Sequence, residues 1–202
     1  MAYVTLPTFV GYSTSSGPAR MSFVRRYRRL FENPERSAFN FYQRATSAIR
    51  AGRATGMDEE AMRALIDQAT PRSLPHYTAV SEGWLRYLGR RAPQLVNVGH
   101  ARWRYGDFES RVSPQLGLRK ANGQEFATWL YFKEEPLTRD GANLALWNME
   151  QVMPELIPGA TALVVDVRRA KEFTLNSRDR ARMGPWVRSE ASSFMSLWEA
   201  AA

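Results

Sequence analysis

Asn122-Gly123 stands between two stretches rich in apolar residues, Val112 to Ala121 and Gln124 to Lys133, and this arrangement constrains the fold more than any other feature of the chain. Asn-Gly readily supplies the two positive-φ positions of a two-residue type I′ turn, so the flanking stretches read as an antiparallel hairpin. With Ala121 opposite Gln124, Leu118 faces Ala127, Leu116 faces Trp129, Pro114 faces Tyr131 and Val112 faces Lys133. Phe126, Thr128, Leu130 and Phe132 fill the other side. Both faces of the second strand are then largely apolar, which predicts a central strand with helices above and below it.

The rest of the chain supplies those helices. Residues 1–20 are rich in Thr, Ser, Gly and Pro and read as an irregular arm. From Ser22, the residues Phe23, Val24, Tyr27, Leu30 and Phe31 recur at helical spacing with Arg25, Arg26, Arg28 and Arg29 between them. Asn33-Pro34 predicts a second helix start, with Ala38, Phe39, Tyr42, Ala45 and Ile49 on one face and Gly52 at the end. A third helix is expected from Asp58 to before Pro71, and a fourth over Tyr77 to Arg90.

After Pro93 the period changes to 2. Ala101, Trp103 and Tyr105 alternate with Arg102 and Arg104, as on a half-buried strand. Thr138 can cap a helix carrying Leu144 and Trp147, and Thr161 to Val167 reads as a buried strand with Glu172 to Leu175 returning beside it. Gly184-Pro185 introduces a last helix with Val187, Ala191, Phe194 and Trp198 on its buried stripe. The expected fold is α+β, or mixed α/β, with a helical N-terminal part followed by a helix-covered sheet. One domain over residues 1–202 is expected, with a division into 1–72 and 73–202 as the alternative.

Charge points to a polyanionic partner. Lys plus Arg number 28 against 20 Asp plus Glu, a net charge of +8. Residues 1–53 hold nine Arg and two Glu, hence +7 of that excess. An Arg-rich, aromatic helix can place guanidinium groups on phosphates while its apolar stripe docks on the core. An ordinary solvated helix face is the competing account of the same pattern.

Cys is absent, and the two histidines are His76 and His100, so thiolate metal sites, Cys nucleophiles and multi-histidine metal sites are excluded. Neither histidine comes with a nucleophile motif, and no Gly-rich phosphate loop is present. No apolar run approaches the roughly 20 residues that span a bilayer. These features predict a soluble, cytoplasmic protein with no membrane partner.

The order of a helix, a strand meander, a strand ending in Lys133, a helix and another strand resembles the core of the restriction-endonuclease-like superfamily, known by its PD-(D/E)xK motif. That resemblance covers about residues 77–167 and implies a metal-dependent phosphodiesterase site with Lys133 as the motif lysine. The chain departs from the motif: Tyr131 stands where the acid two residues before the lysine belongs, and the opposite strand carries Ser113-Pro114-Gln115. Asp107, Glu109 and Glu82 are then the candidates for a displaced acid cluster holding Mg²⁺.

The functional expectation is non-catalytic binding of a DNA or RNA backbone, with Arg20, Arg25, Arg26, Arg28, Arg29 and Arg36 on phosphates and no cofactor or metal. A Mg²⁺-dependent nuclease using Lys133 is one alternative. An assembly protein that docks on a protein partner or a second copy is another.

Overall fold

The computed structural model describes residues 2–32 and 41–201. Its first half forms β1 (Ala2–Thr5), α1 (Leu6–Ser13), α2 (Pro18–Glu32), α3 (Gln43–Thr55), α4 (Asp58–Asp67) and α5 (Leu74–Leu88). The sheets follow as β2 (Gln94–Val96), β3 (Ala101–Tyr105), β4 (Phe108–Val112), β5 (Leu116–Arg119) and β6 (Glu125–Tyr131). The chain ends with α6 (Arg139–Gln151), α7 (Met153–Leu156), β7 (Thr161–Asp166), β8 (Lys171–Phe173) and α8 (Ser177–Ala200). The fold is α+β. The helix start expected at Asn33-Pro34, with Ala38 and Phe39, lies outside the described residues, as does Arg36.

β6 is the middle strand of a five-stranded sheet ordered β2-β5-β6-β7-β8. It pairs antiparallel with β5 and parallel with β7, and α6 makes the crossover to β7. The hairpin is present, but its register differs by one residue from the two-residue-turn reading. Lys120 and Gln124 close the loop through Lys120 N to Gln124 O at 2.9 Å, leaving Ala121, Asn122 and Gly123 inside it. Only Gly123 in that loop has positive φ, at 83°, which fits a three-residue loop with one left-handed position.

That shift moves two leucines across the sheet. Leu116 pairs with Thr128 and Leu118 with Phe126. Both therefore pack with Phe126 and Leu130, on the face opposite Trp129, because side chains alternate along a strand.

Both faces of β6 are covered. Ala127, Trp129 and Tyr131, with Ala162 and Val164 of β7, pack beneath α1, α6 and α8. Phe126, Leu130 and Phe132, with Leu163 and Val165, pack against Ile49, Met62, Leu65, Val80 and Trp84 from α3, α4 and α5. On that second face α5 lies so close to the end of β7 that a Cβ at Gly83 would stand 2.1 Å from Val167 O.

The first residues are an ordered part of the fold rather than an arm. β1 runs parallel to β4, which pairs with β3 to complete a three-stranded sheet. Leu6, Phe9, Val10 and Tyr12 of α1 are buried, with the Phe9 ring 4.6 Å from that of Phe108. Thr5 caps α1 by accepting from Thr8 N, and Pro7 occupies the first turn, where no backbone donor is needed. Turn-forming residues obscured this helix because its tertiary partners lie about a hundred positions away. Residues 2–32 thus pack with the C-terminal half, whereas α3 and α4 pack on α5.

The last helix also starts earlier than Gly184-Pro185. Asn176 accepts from Asp179 N at 2.7 Å and opens α8, which carries Pro185 in its interior. Trp103 and Trp129, on strands, are buried along with Trp84, Trp147 and Trp198. Among the described residues no helix is long and apolar enough to cross a membrane.

Candidate nucleic-acid interface

Lys133 emerges exposed just past the end of β6, where the strand meets α1 and α2. It lies beside Gly11 of α1, where a Cβ would stand 3.9 Å from Lys133 Nζ, an ordinary contact, and a tighter 3.3 Å from the Phe23 ring. A recess of about 270 Å³ opens on this side, lined by Phe23, Arg26 and Tyr27 of α2 together with Pro7 and Lys133. The Arg26 guanidinium stacks 5.6 Å from the Phe23 ring centroid.

On the other side of Pro7 and Lys133 lies a larger recess of about 630 Å³. Its wall is the face of α3 carrying Gln43, Thr46, Ser47 and Arg50, residues at the spacing of one helical stripe. Arg50 Nη1 donates to Gln115 O at 3.1 Å, and the Gln115 side chain accepts from Leu130 N at 2.8 Å just before β5 begins. Tyr42 stacks on Phe132 at 5.2 Å with ring planes 19° apart. Burial, with the charges of Asp166 and Glu135 behind it, holds the Tyr131 phenol above its ordinary value, so it stays a neutral donor to Glu135 O at 2.9 Å.

Gln43 and Ser47 also line a third recess, of about 650 Å³, between α3 and α4, where Arg44 sits. The three recesses thus adjoin one another. Arg26, Lys133, Arg50 and Arg44 line them, and among the described residues no Asp or Glu does. Lys133 forms no ion pair among those residues. A groove of this lining offers spaced cations and aromatic walls to a chain of phosphates and bases.

The N-terminal arginines divide into two groups. Arg20 Nη2 donates to Glu190 Oε1 at 3.2 Å, and Arg28 Nη1 donates to Trp198 O at 2.7 Å while its Nε reaches Glu32 at 2.8 Å. These two tie α2 to α8. Arg25, Arg26 and Arg29 are exposed.

The acids named beside Lys133 are not gathered around it. Glu109 is 2% exposed and held by Arg104 Nε at 2.7 Å and Arg102 Nη1 at 3.2 Å in the three-stranded sheet. Asp107 lies in the loop between β3 and β4, and Glu82 is exposed on α5. Among the described residues no three His, Asp or Glu side chains form a group that could hold a metal ion. Asp166, buried on β7, accepts from Leu137 N at 3.2 Å and pairs with Arg169. His76 Nδ1 lies 2.7 Å from Arg168 Nη2, and His100 is exposed.

No family model, curated protein or solved structure matches the chain. The sequence pattern by itself does not single out Arg44, Arg50, Tyr42 and Gln115 as groove residues. The signal it does hold is the polar stripe of Gln43, Thr46, Ser47 and Arg50, opposite the apolar face that defines the helix.

Proposed function

We propose that this protein binds nucleic acid without cleaving it, with the sugar-phosphate backbone following the groove past Arg26, Lys133, Arg50 and Arg44. The observation that carries this reading is a lining that, among the described residues, holds no Asp or Glu and sets four cations in recesses that also hold the half-buried rings of Phe23, Tyr27 and Tyr42. Arg25 on the exposed side of α2 extends the cationic surface, and Arg20 and Arg28 serve α2–α8 packing instead. Phosphate contacts give affinity without sequence choice. Tyr42, Phe23 and Tyr27 favour unpaired bases, since a stacked base contributes about 1–3 kcal/mol. The neutralisation of Glu109 by two arginines supports binding over metal-assisted hydrolysis.

The test is a salt-titrated binding assay with labelled single- and double-stranded oligonucleotides, with and without Mg²⁺, following affinity and strand integrity. Affinity should fall steeply with salt, with a log–log slope of about −0.7 per neutralised phosphate on single strands. Lys133→Glu with Arg50→Glu should flatten that slope by about 0.7 for each phosphate left without its cation. Arg28→Ala should leave it unchanged. Binding indifferent to salt, or Mg²⁺-dependent cleavage abolished by Lys133→Ala, would overturn the reading.

A further inference from the structure

At the far end of β6 from Lys133, roughly 20 Å along the strand direction, a separate recess of about 370 Å³ opens beside the hairpin loop. Its floor is hydrocarbon: Leu88 from α5, Leu118 from β5, Phe126 from β6 and Leu163 from β7. Its rim is cationic, formed by Arg90 and Arg91 after α5 and by Lys120 before the loop. The volume lies at the lower end of the small-molecule range of about 300–1,000 Å³.

Apart from its three cations, the polar side chains that line this recess are Tyr87 and Asn122, and both are already engaged. Tyr87 OH donates away to Glu172 Oε2 at 3.2 Å, and Asn122 Oδ1 accepts from Gln124 N at 3.1 Å within the loop. The floor therefore offers no partner to a hydroxyl or amide, and a sugar or nucleotide buried there would lose its hydrogen bonds to water without replacement. An alkyl chain loses nothing.

The rim holds more positive charge than its own carboxylate satisfies. Glu172 faces Arg91 at 3.8 Å and Lys120 at 4.0 Å, both long for an ion pair, and Arg90 has no ion pair among the described residues. Lys120 Nζ lies 4.4 Å above the Phe126 ring and Arg91 lies 5.6 Å from the Tyr87 ring, so both cations already sit over the mouth. An anionic head placed between them would make charge-assisted hydrogen bonds while its tail covers the leucines and Phe126.

We propose that this recess is a binding site for a hydrocarbon-tailed carboxylate, with the alkyl chain on Leu88, Leu118, Phe126 and Leu163 and the carboxylate held by Arg90, Arg91 and Lys120. It is independent of the groove at Lys133.

Isothermal titration calorimetry of the full chain with octanoate, kept below its self-association range, tests it against acetate and n-octanol. Octanoate should saturate one site and bind at least tenfold tighter than either control, because each control lacks one half of the recognition. Arg90→Gln with Arg91→Gln, both exposed, should weaken octanoate by about tenfold or more and leave n-octanol unchanged. An unchanged melting temperature shows that the variant remains folded. Absence of saturable octanoate binding, n-octanol binding as tightly, or an undiminished affinity in the double variant would overturn the proposal.

Discussion

Arg168 donates to His76 Nδ1 at 2.7 Å, joining the turn after β7 to the first turn of α5. A guanidinium has no acceptor, so His76 Nδ1 takes the acceptor's role in this contact. The same fork reaches Phe132 O at 2.8 Å and the Tyr42 hydroxyl at 3.4 Å. Tyr42 lies flat on Phe132, so Arg168 braces from behind the aromatic wall that borders Lys133. The groove is thus held by residues that do not line it.

Arg168→Lys should therefore lower both stability and nucleic-acid affinity. A lysine ammonium cannot span three acceptors that a planar fork reaches at once. Urea denaturation should show a loss of about 1–3 kcal/mol, and oligonucleotide titration a several-fold weaker affinity. Unchanged affinity at reduced stability would separate Tyr42 from the binding surface.

Asp58 joins α4 to α3 and α5. Its carboxylate pairs with Arg53, accepting from Nε at 2.7 Å, and also accepts from Trp84 Nε1 at 3.4 Å. Both partners of the pair have side chains only 8% exposed, and burial pulls the Arg53 guanidinium below its ordinary value. Asp58→Ala leaves that cation buried and unpaired and should cost about 3–5 kcal/mol in chemical denaturation. Replacing both residues by apolar ones should cost less than the single change.

Gly83 sets how closely α5 can approach the end of β7. A Cβ there would stand 2.1 Å from Val167 O and 2.8 Å from Arg168 Cα, both backbone atoms with little freedom to retreat. Gly83→Ala should destabilise by about 1–3 kcal/mol or more despite the higher helix propensity of alanine, measured by thermal and urea unfolding. It should also disturb the Arg168 brace and weaken oligonucleotide binding.

Alkaline stability should depend on Tyr87. Burial pushes its hydroxyl well above the ordinary tyrosine value, and the charge of Glu172 acts in the same direction. The folded state keeps a proton that the unfolded chain releases near pH 10, so the contribution is fully present below about pH 10 and is lost as pH rises above it. Tyr87→Phe should flatten the fall in stability above pH 10, read as the unfolding midpoint against pH. An unchanged slope would place the loss elsewhere.

The sequence alone determined the element types wherever the periodic signal was local. The stripes of α2, α4 and α5, the Thr138 cap of α6, and the apolar runs of β6 and β7 all repeat over a few residues, and the two-sided burial of β6 follows from its own composition. Tertiary structure decided what depends on distant partners. β1 and α1 are stabilised by β4 and α6, far along the chain, so their Thr, Pro and Gly content resembled a loop. The hairpin register turned on one residue of loop geometry, whether Asn122 or only Gly123 takes positive φ, and that choice moved Leu116 and Leu118 to the opposite core. The division of the arginines had the same origin. Arg20 and Arg28 look like Arg25 and Arg26 along the helix, and only the packing of α8, with Glu190 and the Trp198 carbonyl, turns two of them inward. Lys133 was legible as a lysine ending an apolar strand, but its neighbours Arg50 and Tyr42 come from another part of the chain, brought there by the fold.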